Sequence, residues 1–213
     1  MKHLLSKFTF FLFAIVPFYG NAADGNAALY DVTAPADSAF VRVLNNTTET
    51  VEVGLSAKSE AQPVSSYQLG DYLFLAEGEH QLKVGNTTQS LTLGKNEVTT
   101  MIYDGESLSP IKDKFFDGLK KAQVSFYNLT STALVLKTLN GKHAVVKTVK
   151  PGESGSRKVN EVKMAFAAFN EATKVAEYEK TFLKKGRSYS YVVLEQSGKN
   201  TAFIVANKIS SVE

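Results

Sequence analysis

Short alternating segments separated by turn residues are the feature that most restricts the fold of this chain of 213 residues. Apolar side chains recur at every second position from Ala39 onward, and the alternation resumes at Val51 after the turn cluster at residues 45–48. A period of two is typical of half-buried β-strands, and no long segment carries the period of an amphipathic helix. Turn signals recur at the spacing of about 8–12 residues that is typical of sandwiches and barrels. We therefore predict an all-β fold.

The second half of the chain restarts the pattern of the first half. Segment 122–136 repeats four residues of segment 39–53 at an offset of 83, and residues 182–193 match residues 91–102 more loosely at an offset of 91. Because the apolar positions keep their phase, we predict two tandem β-sandwich domains of immunoglobulin-like type. The identical pairs in the first match are Ala39 and Ala122, Val41 and Val124, Asn45 and Asn128, and Thr47 and Thr130.

The boundary between the two copies is expected in a charged segment that contains Ser109 and Pro110. Proline cannot donate to a strand ladder, so we expect it to interrupt the preceding strand. The adjacent Phe115 and Phe116 are apolar within this linker and are expected to pin the domains together or to cover a sheet edge. The predicted organisation is a signal peptide at 1–22, an N-terminal domain at 23–108, a linker at 109–121 and a C-terminal domain at 122–213.

The first 22 residues have the order of a secretory leader. Lys2 and Lys7 are followed by an apolar run at residues 8–18 and by small residues that end at Ala22. The apolar run is shorter than the ~20 residues that span a bilayer, so we expect cleavage after Ala22 or Ala23 rather than retention as an anchor. The sequence therefore predicts export to the periplasm and a soluble protein after cleavage.

Cysteine and net charge exclude several classes of function. The chain has no cysteine, which rules out disulfides, thiolate metal sites, cysteine nucleophiles and a lipid anchor on cysteine. The formal charge of +3 falls to +1 once Lys2 and Lys7 leave with the leader. A nearly neutral chain gives no reason to expect nucleic acid as a partner, and no later segment is long enough for membrane insertion.

Candidate chemistry in the sequence is sparse. The mature chain contains two histidines, His80 and His143, and no carboxylate cluster has metal-ligand spacing. Ser107 and Ser154 each follow Gly-Glu, which is similar to the Gly-Asp-Ser start of triad esterases and acetyltransferases. Such serines need an imidazole base, and neither histidine has the expected downstream spacing. We predict turns at both serines, no catalytic residue, no cofactor and no metal site.

Four asparagines fit the pattern of a glycan acceptor, Asn-x-Ser/Thr. The alternative is a turn asparagine followed by a strand threonine, and both copies place such residues at hairpins. We favour the turn interpretation. The four positions are Asn45, Asn46, Asn86 and Asn128.

A set of short motifs near the start of the mature chain supports a family resemblance. They are the residues at 28–31, 34–35 and 38–42, followed by Asn45. With these motifs the chain resembles the AlgF family, the accessory proteins of alginate O-acetylation. The resemblance continues at low density through residues 75–78, 91–93, 120–124 and 128–129.

The resemblance implies an exported, non-catalytic adaptor needed for O-acetylation of an exopolysaccharide. The implied partners are periplasmic polysaccharide O-acetyltransferases and a membrane acyltransferase. An adaptor of this kind binds through exposed anchors, and aromatic or apolar side chains often carry such interfaces. The candidate partner-binding residues are Leu29, Tyr30, Phe115 and Phe116.

Two other functions remain open at this point. A periplasmic carbohydrate-binding module would contact the alginate polymer directly, and the basic turn of Lys184, Lys185 and Arg187 would suit such a polyanion. The chain could also be an acetyltransferase in its own right that uses Ser107 or Ser154. Oligosaccharide titration and acetyl-ester turnover distinguish these alternatives from the adaptor.

Overall fold

The computed structural model describes residues 34–116 and 118–210, which belong to one compact unit. All regular secondary structure within these residues is β-strand, and the strands form two successive sandwiches. The predicted all-β fold with tandem sandwich domains is therefore confirmed. The leader predicted at residues 1–22 lies outside the described residues.

The N-terminal sandwich packs two four-stranded sheets, with orders β4-β1-β7-β8 and β3-β2-β5-β6. Its core is formed by the alternate residues that the sequence pattern predicts to face inward, such as Val41 and Val43 against Val53 and Leu82. The strands are β1 (Ala39–Asn45), β2 (Val51–Leu55), β3 (Gln62–Val64), β4 (Leu73–Leu75), β5 (Gly78–Val84), β6 (Thr87–Leu93), β7 (Val98–Tyr103) and β8 (Leu108–Asp113).

The C-terminal sandwich packs sheets of order β12-β9-β17-β18 and β11-β10-β14-β15, with a small sheet of β13 and β16. Phe126, Leu136, Phe166 and Tyr191 lie in its core. The strands are β9 (Ala122–Leu129), β10 (Leu134–Thr138), β11 (Ala144–Val149), β12 (Glu153–Val159), β13 (Val162–Met164), β14 (Phe166–Asn170), β15 (Thr173–Glu177), β16 (Thr181–Leu183), β17 (Ser188–Gln196) and β18 (Lys199–Ala206).

A third apolar cluster joins the two sandwiches. Leu44 and Ile111 of the first domain pack with Tyr127, Val192 and Leu194 of the second, all of them buried. These side chains lie on the faces of β1, β8, β9 and β17 that point away from each sandwich core. Strands β1 and β9 are therefore buried on both faces, as their nearly continuous apolar runs require. The layers of the two domains stack as one body.

The two sandwiches repeat the same topology, with one correction to the predicted alignment. In each domain the first strand pairs in parallel with a later strand: Val41 lies opposite Thr99, and Val124 lies opposite Tyr189. These pairs relate residues 99 and 189, an offset of 90 rather than the expected 91. Since a slip of one residue exchanges the two faces of a strand, the offset of 91 assigns β17 to the wrong faces.

The connection between the domains is shorter than the linker predicted at residues 109–121. Residues 109–113 belong to β8, where Pro110 lies opposite Met101 of β7. Strand β8 is the edge of its sheet, and an edge strand tolerates a proline because one row of its donors has no ladder partner. Pro110 therefore does not interrupt the strand.

Buried asparagines at equivalent positions close the turn after the first strand of each domain. The side-chain Nδ2 of Asn45 donates to the carbonyls of Glu49 and Val64 at 2.7 and 3.0 Å, and its Oδ1 accepts from Thr47. Asn128 makes the same network with Thr130 and with the carbonyls of Thr132 and Val149. Both amides are used internally, which supports the turn interpretation at these two positions.

We expect Asn128→Ala to lower the free energy of unfolding by about 2–3 kcal/mol, because buried carbonyls and amides lose their partners. Urea denaturation measures the change. The control is Asn86→Ala, a substitution in the same Asn-x-Thr pattern at an exposed hairpin residue, which is expected to cost less than about 1 kcal/mol. Equal costs for the two substitutions would contradict the structural role of the buried amide.

Candidate functional site

Among the described residues, the largest fully buried side chain is that of Arg42, an arginine in the middle of the apolar strand β1. It points into the interface between the domains. Its Nε donates to Thr100 Oγ1 of the same domain at 2.9 Å. Its Nη atoms donate across the interface to Asn207 Oδ1 at 2.9 Å, Tyr127 OH at 2.7 Å and Ser190 Oγ at 2.9 Å. One guanidinium is thus shared by both domains.

Asp113, the last residue of β8, supplies the negative charge of this cluster. Its Oδ2 accepts from Thr100 Oγ1 at 2.6 Å and from Tyr72 OH at 3.1 Å, and its Oδ1 accepts from Ser154 Oγ of the second domain at 3.2 Å. Thr100 therefore connects the carboxylate to Arg42 through two hydrogen bonds. A buried charge is tolerated when hydrogen bonds and an opposite charge nearby compensate it, and here the compensation is the hydrogen bonds of Arg42 and the neighbouring carboxylate of Asp113.

The electrostatics of the cluster keep its groups in one protonation state. Burial alone disfavours the charged guanidinium, but Tyr127, Tyr72 and Asp113 reverse this effect and raise the pKa of Arg42. Burial raises the pKa of Tyr127 to about 12 against the opposing influence of Arg42. Tyr72, whose ring lies 4.0 Å from the guanidinium carbon, also has a pKa raised by burial. Arg42 is therefore a fixed cation, and the phenols of Tyr72 and Tyr127 beside it stay neutral near neutral pH.

A backbone bridge adds a second tie between the domains. After β18 the chain returns to the N-terminal domain, where Ile209 pairs in parallel with Tyr72. The amide of Tyr72 donates to Lys208 O at 2.9 Å, and the amide of Ser210 donates to Tyr72 O at 2.8 Å. The two domains are thus joined by a backbone bridge, the Arg42 cluster and apolar contacts. The sequence pattern did not reveal the bridge, because residues 207–210 carry no alternating run.

The two serines considered as nucleophiles face carboxylates. Ser107 Oγ donates to Asp104 Oδ2 at 2.7 Å inside an exposed turn, and Asp104 Oδ1 accepts the amides of Glu106 and Ser107. The turn predicted at Ser154 is wrong: Ser154 lies in β12 opposite Tyr127 of β9, and its Oγ donates to Asp113. Among residues 34–116 and 118–210, neither serine hydroxyl is hydrogen-bonded to an imidazole. Each hydroxyl is thus held as a hydrogen-bond donor to a carboxylate.

Within the described residues, neither histidine is hydrogen-bonded to these serines. His80 is half-buried on β5 and its Nε2 is 2.9 Å from Ala76 O, and His143 follows the turn between β10 and β11. Within the described part of the chain, no three His, Cys, Asp or Glu residues are placed to hold a metal ion.

The predicted partner-binding residues are placed only in part. Leu29 and Tyr30 lie outside the described residues. Phe115 is 41% exposed, and its ring centroid lies 5.8 Å from that of Phe40 at the start of β1. Phe116 is half-buried beside Gly118. In the connection between the domains, Phe115 is therefore exposed to solvent, whereas Phe116 is partly covered by the protein.

A groove of about 390 Å³ lies on the N-terminal domain near Pro35. Its charged groups are paired with one another: Lys95 Nζ lies 3.7 Å from Asp37 and 3.8 Å from Glu77. Lys58 Nζ lies 4.1 Å from the ring centre of Phe74. The hydroxyl of Ser38 in this groove donates to Pro35 O at 2.8 Å.

The fold and these contacts define a two-domain all-β protein whose most specialised polar cluster joins its own domains. The family described as alginate O-acetyl transferase AlgF matches residues 14–190. The chain belongs to the AlgF family, which is a family of alginate biosynthesis and O-acetylation. This confirms the resemblance carried by the motifs at 28–31 and 38–42.

Relatives of similar length agree with this assignment. The alginate biosynthesis protein AlgF of Pseudomonas fluorescens is 33% identical over 79% of this chain and 77% of its own length. AlgF of Pseudomonas aeruginosa is 32% identical over 87% of this chain and 85% of its own length. The solved C-terminal domain of P. aeruginosa AlgF is 35% identical, with a TM-score of 0.39, and covers 41% of this chain and 99% of that domain.

We expect Arg42→Ala to lower the free energy of unfolding by about 3–5 kcal/mol, because acceptors from both domains lose a shared buried donor. The measurement is urea denaturation, combined with small-angle scattering to detect separation of domains that still hold their own cores. The matched control is Arg157→Ala, which removes an exposed arginine of the same protein and is expected to cost about 0.5 kcal/mol. A change no larger than this control would show that the cluster does not hold the junction.

The Ser107 turn makes a separate prediction. Hydrogen bonds from the Ser107 amide, the Glu106 amide and the Ser107 hydroxyl lower the pKa of Asp104 below its ordinary value. Ser107→Ala should raise that pKa part of the way back, since the two amides remain. The stabilisation is present above the unfolded pKa of about 3.9 and is lost as the pH falls through the lower folded pKa. Carboxyl NMR titration measures the shift, with Ser109→Ala as the control that should leave Asp104 unchanged.

Proposed function

We propose that this protein acts in the periplasm as a non-catalytic adaptor for the O-acetylation of alginate, and that it holds acetyl-transfer proteins together. The partners we propose are the periplasmic polysaccharide O-acetyltransferases and the membrane acyltransferase that supplies acetyl groups. The observation that carries the proposal is the shared Arg42 cluster. An adaptor needs surfaces at a fixed mutual orientation, and one guanidinium bound by both domains provides it.

The surroundings of the serines support the non-catalytic part of the proposal. Acetyl transfer through a serine requires a base that removes the hydroxyl proton. Ser107 and Ser154 donate to Asp104 and Asp113, and each of these carboxylates also accepts other donors that hold it in place. This arrangement suits turn and junction structure. We therefore assign the acetyl transfer to the partners.

The leader at residues 1–22 supports export, since its order is basic, apolar and then small. Among residues 34–116 and 118–210 there is no helix long and apolar enough to cross a membrane. An exported protein that folds without disulfides depends on core packing, and each sandwich here has its own buried cluster.

A second function is direct binding of the alginate polymer as a carbohydrate-binding module. The turn of Lys184, Lys185 and Arg187 favours it, because alginate carries a carboxylate on each sugar. No tyrosine within the described residues is exposed as a stacking platform, so we rank this function second. Calorimetric titration with uronate oligosaccharides tests it, and saturable binding at low micromolar concentration would support it.

The adaptor proposal is tested in an alginate-producing strain from which this gene is deleted. Wild-type chain and a Ser107→Ala/Ser154→Ala double variant are expected to restore the acetyl-ester content of the polymer equally, because neither serine transfers acetyl groups. The purified chain is expected to show no turnover of an acetyl ester such as p-nitrophenyl acetate above that of the double variant. Turnover that is lost in the double variant would identify an enzyme and overturn the proposal.

A further inference from the structure

Charge is distributed very unevenly along this nearly neutral chain. Residues 34–113 contain five lysines and arginines and eleven acids, a net charge of −6. Residues 114–210 contain seventeen lysines and arginines and seven acids, a net charge of +10. Asp24, Asp31 and Glu213 outside these ranges bring the mature value to +1, so a nearly neutral chain combines an acidic N-terminal domain with a basic C-terminal domain. A charge separation of this size attracts a charged partner to the oppositely charged end of the molecule.

Most of the excess positive charge lies in three segments, 114–121, 158–163 and 179–187, which together are named the basic end. Their sequences contain nine lysines and arginines and three acids, a net charge of +6. The nine are Lys114, Lys120, Lys121, Lys158, Lys163, Lys180, Lys184, Lys185 and Arg187.

Backbone contacts bring these segments together at one end of the C-terminal sandwich. The amide of Gly186 donates to Lys121 O at 3.0 Å, which joins the third segment to the first. A Cβ atom built on Gly118 would lie 3.7 Å from Lys158 Nζ, which places the second segment against the first. The side chains of Lys120 and Lys121 are exposed there. The basic end is therefore one continuous surface rather than three separate charge runs.

Exposed apolar side chains lie on the same surface. Leu119 is 84% exposed between Gly118 and the two lysines, and Phe182 is 43% exposed on β16 beside Lys163 of β13. Phe115, at 41% exposure, lies at the start of the same connection. A group of apolar side chains exposed to water is energetically unfavourable. Apolar anchors surrounded by charged residues are typical of protein interfaces.

We propose that the basic end is a docking surface for a protein partner that presents acidic residues around an apolar depression. This inference rests on the proposed adaptor function and assigns one of its binding faces. Lysines on the rim attract the acidic partner and orient it, and Leu119 and Phe182 are buried in the contact. Charge complementarity identifies the partner as acidic, because the basic end would repel another basic surface.

The exposed leucine favours a protein over the polymer as the occupant. A uronate chain offers carboxylates and hydroxyls to the lysines but no pocket that would bury the isolated aliphatic side chain of Leu119. Sugar rings stack on aromatic faces, and within the described residues of the basic end only Phe115 and Phe182 are exposed aromatics. The test must therefore distinguish binding of the polymer from binding of a protein partner.

The test measures binding of the full-length mature chain to the purified periplasmic alginate O-acetyltransferase of the same organism. The variant Lys120→Glu/Lys121→Glu reverses two charges of the basic end. The control Lys150→Glu/Lys199→Glu makes the same change in net charge at exposed lysines that flank hairpin turns at the opposite end of the strands. Leu119→Ser removes the apolar anchor without any change in charge. Thermal denaturation confirms that each variant is folded.

We expect the first variant to weaken binding about tenfold or more and the control to change it less than about twofold. Leu119→Ser should also weaken binding, and wild-type affinity should fall as salt is raised from about 50 to about 300 mM. Equal affinity of all variants would overturn the docking surface and leave the adaptor function intact. Absence of binding by the wild type would overturn both. Saturable binding of uronate oligosaccharides that is lost in the first variant would assign the basic end to the polymer instead.

Discussion

The buried charge of Arg42 is the constraint on which the two-domain arrangement depends. A guanidinium enclosed between packed sheets is stable only while its N–H groups reach acceptors, and Thr100 in its own domain supplies one of them. Tyr127, Ser190 and Asn207 of the other domain supply the rest. Apolar packing at the junction would permit sliding, whereas directional hydrogen bonds permit one orientation. The relative position of the two sandwiches is thus set by polar geometry.

The duplicated architecture explains why one chain repeats such specific local structure. Asn45 and Asn128 close the same turn with the same set of donors and acceptors, although few other residues are identical between the copies. A buried amide that satisfies carbonyls and a threonine at once has no equivalent among other side chains of similar size. Apolar positions, in contrast, need only volume and phase, so they diverge freely while the sandwich is kept.

Local patterns predicted most of the strands, and contacts between distant segments account for what they missed. Alternation and turn residues located strands such as β1 and β2, because these depend on neighbours along the chain. The role of Arg42 was not predicted. The available signal was that Arg42 shares its strand face with the apolar Phe40 and Leu44, which indicates a second buried face. The offset of the second repeat was wrong by one residue, since loose similarity cannot fix register. The basic end emerged only when the folded chain brought its segments together.

Equivalent faces of the two sandwiches meet at the junction, in the manner of a two-fold symmetric dimer whose subunits have become covalently joined. In such a dimer every position would occur twice across the axis, and an arginine at the Arg42 position would face the charge of its own copy. Here Ser125 occupies the position that corresponds to Arg42, and Tyr127 corresponds to Leu44. Because the two halves belong to a single polypeptide, their sequences are free to differ at equivalent positions. One half can therefore supply a lone buried cation and the other half its acceptors.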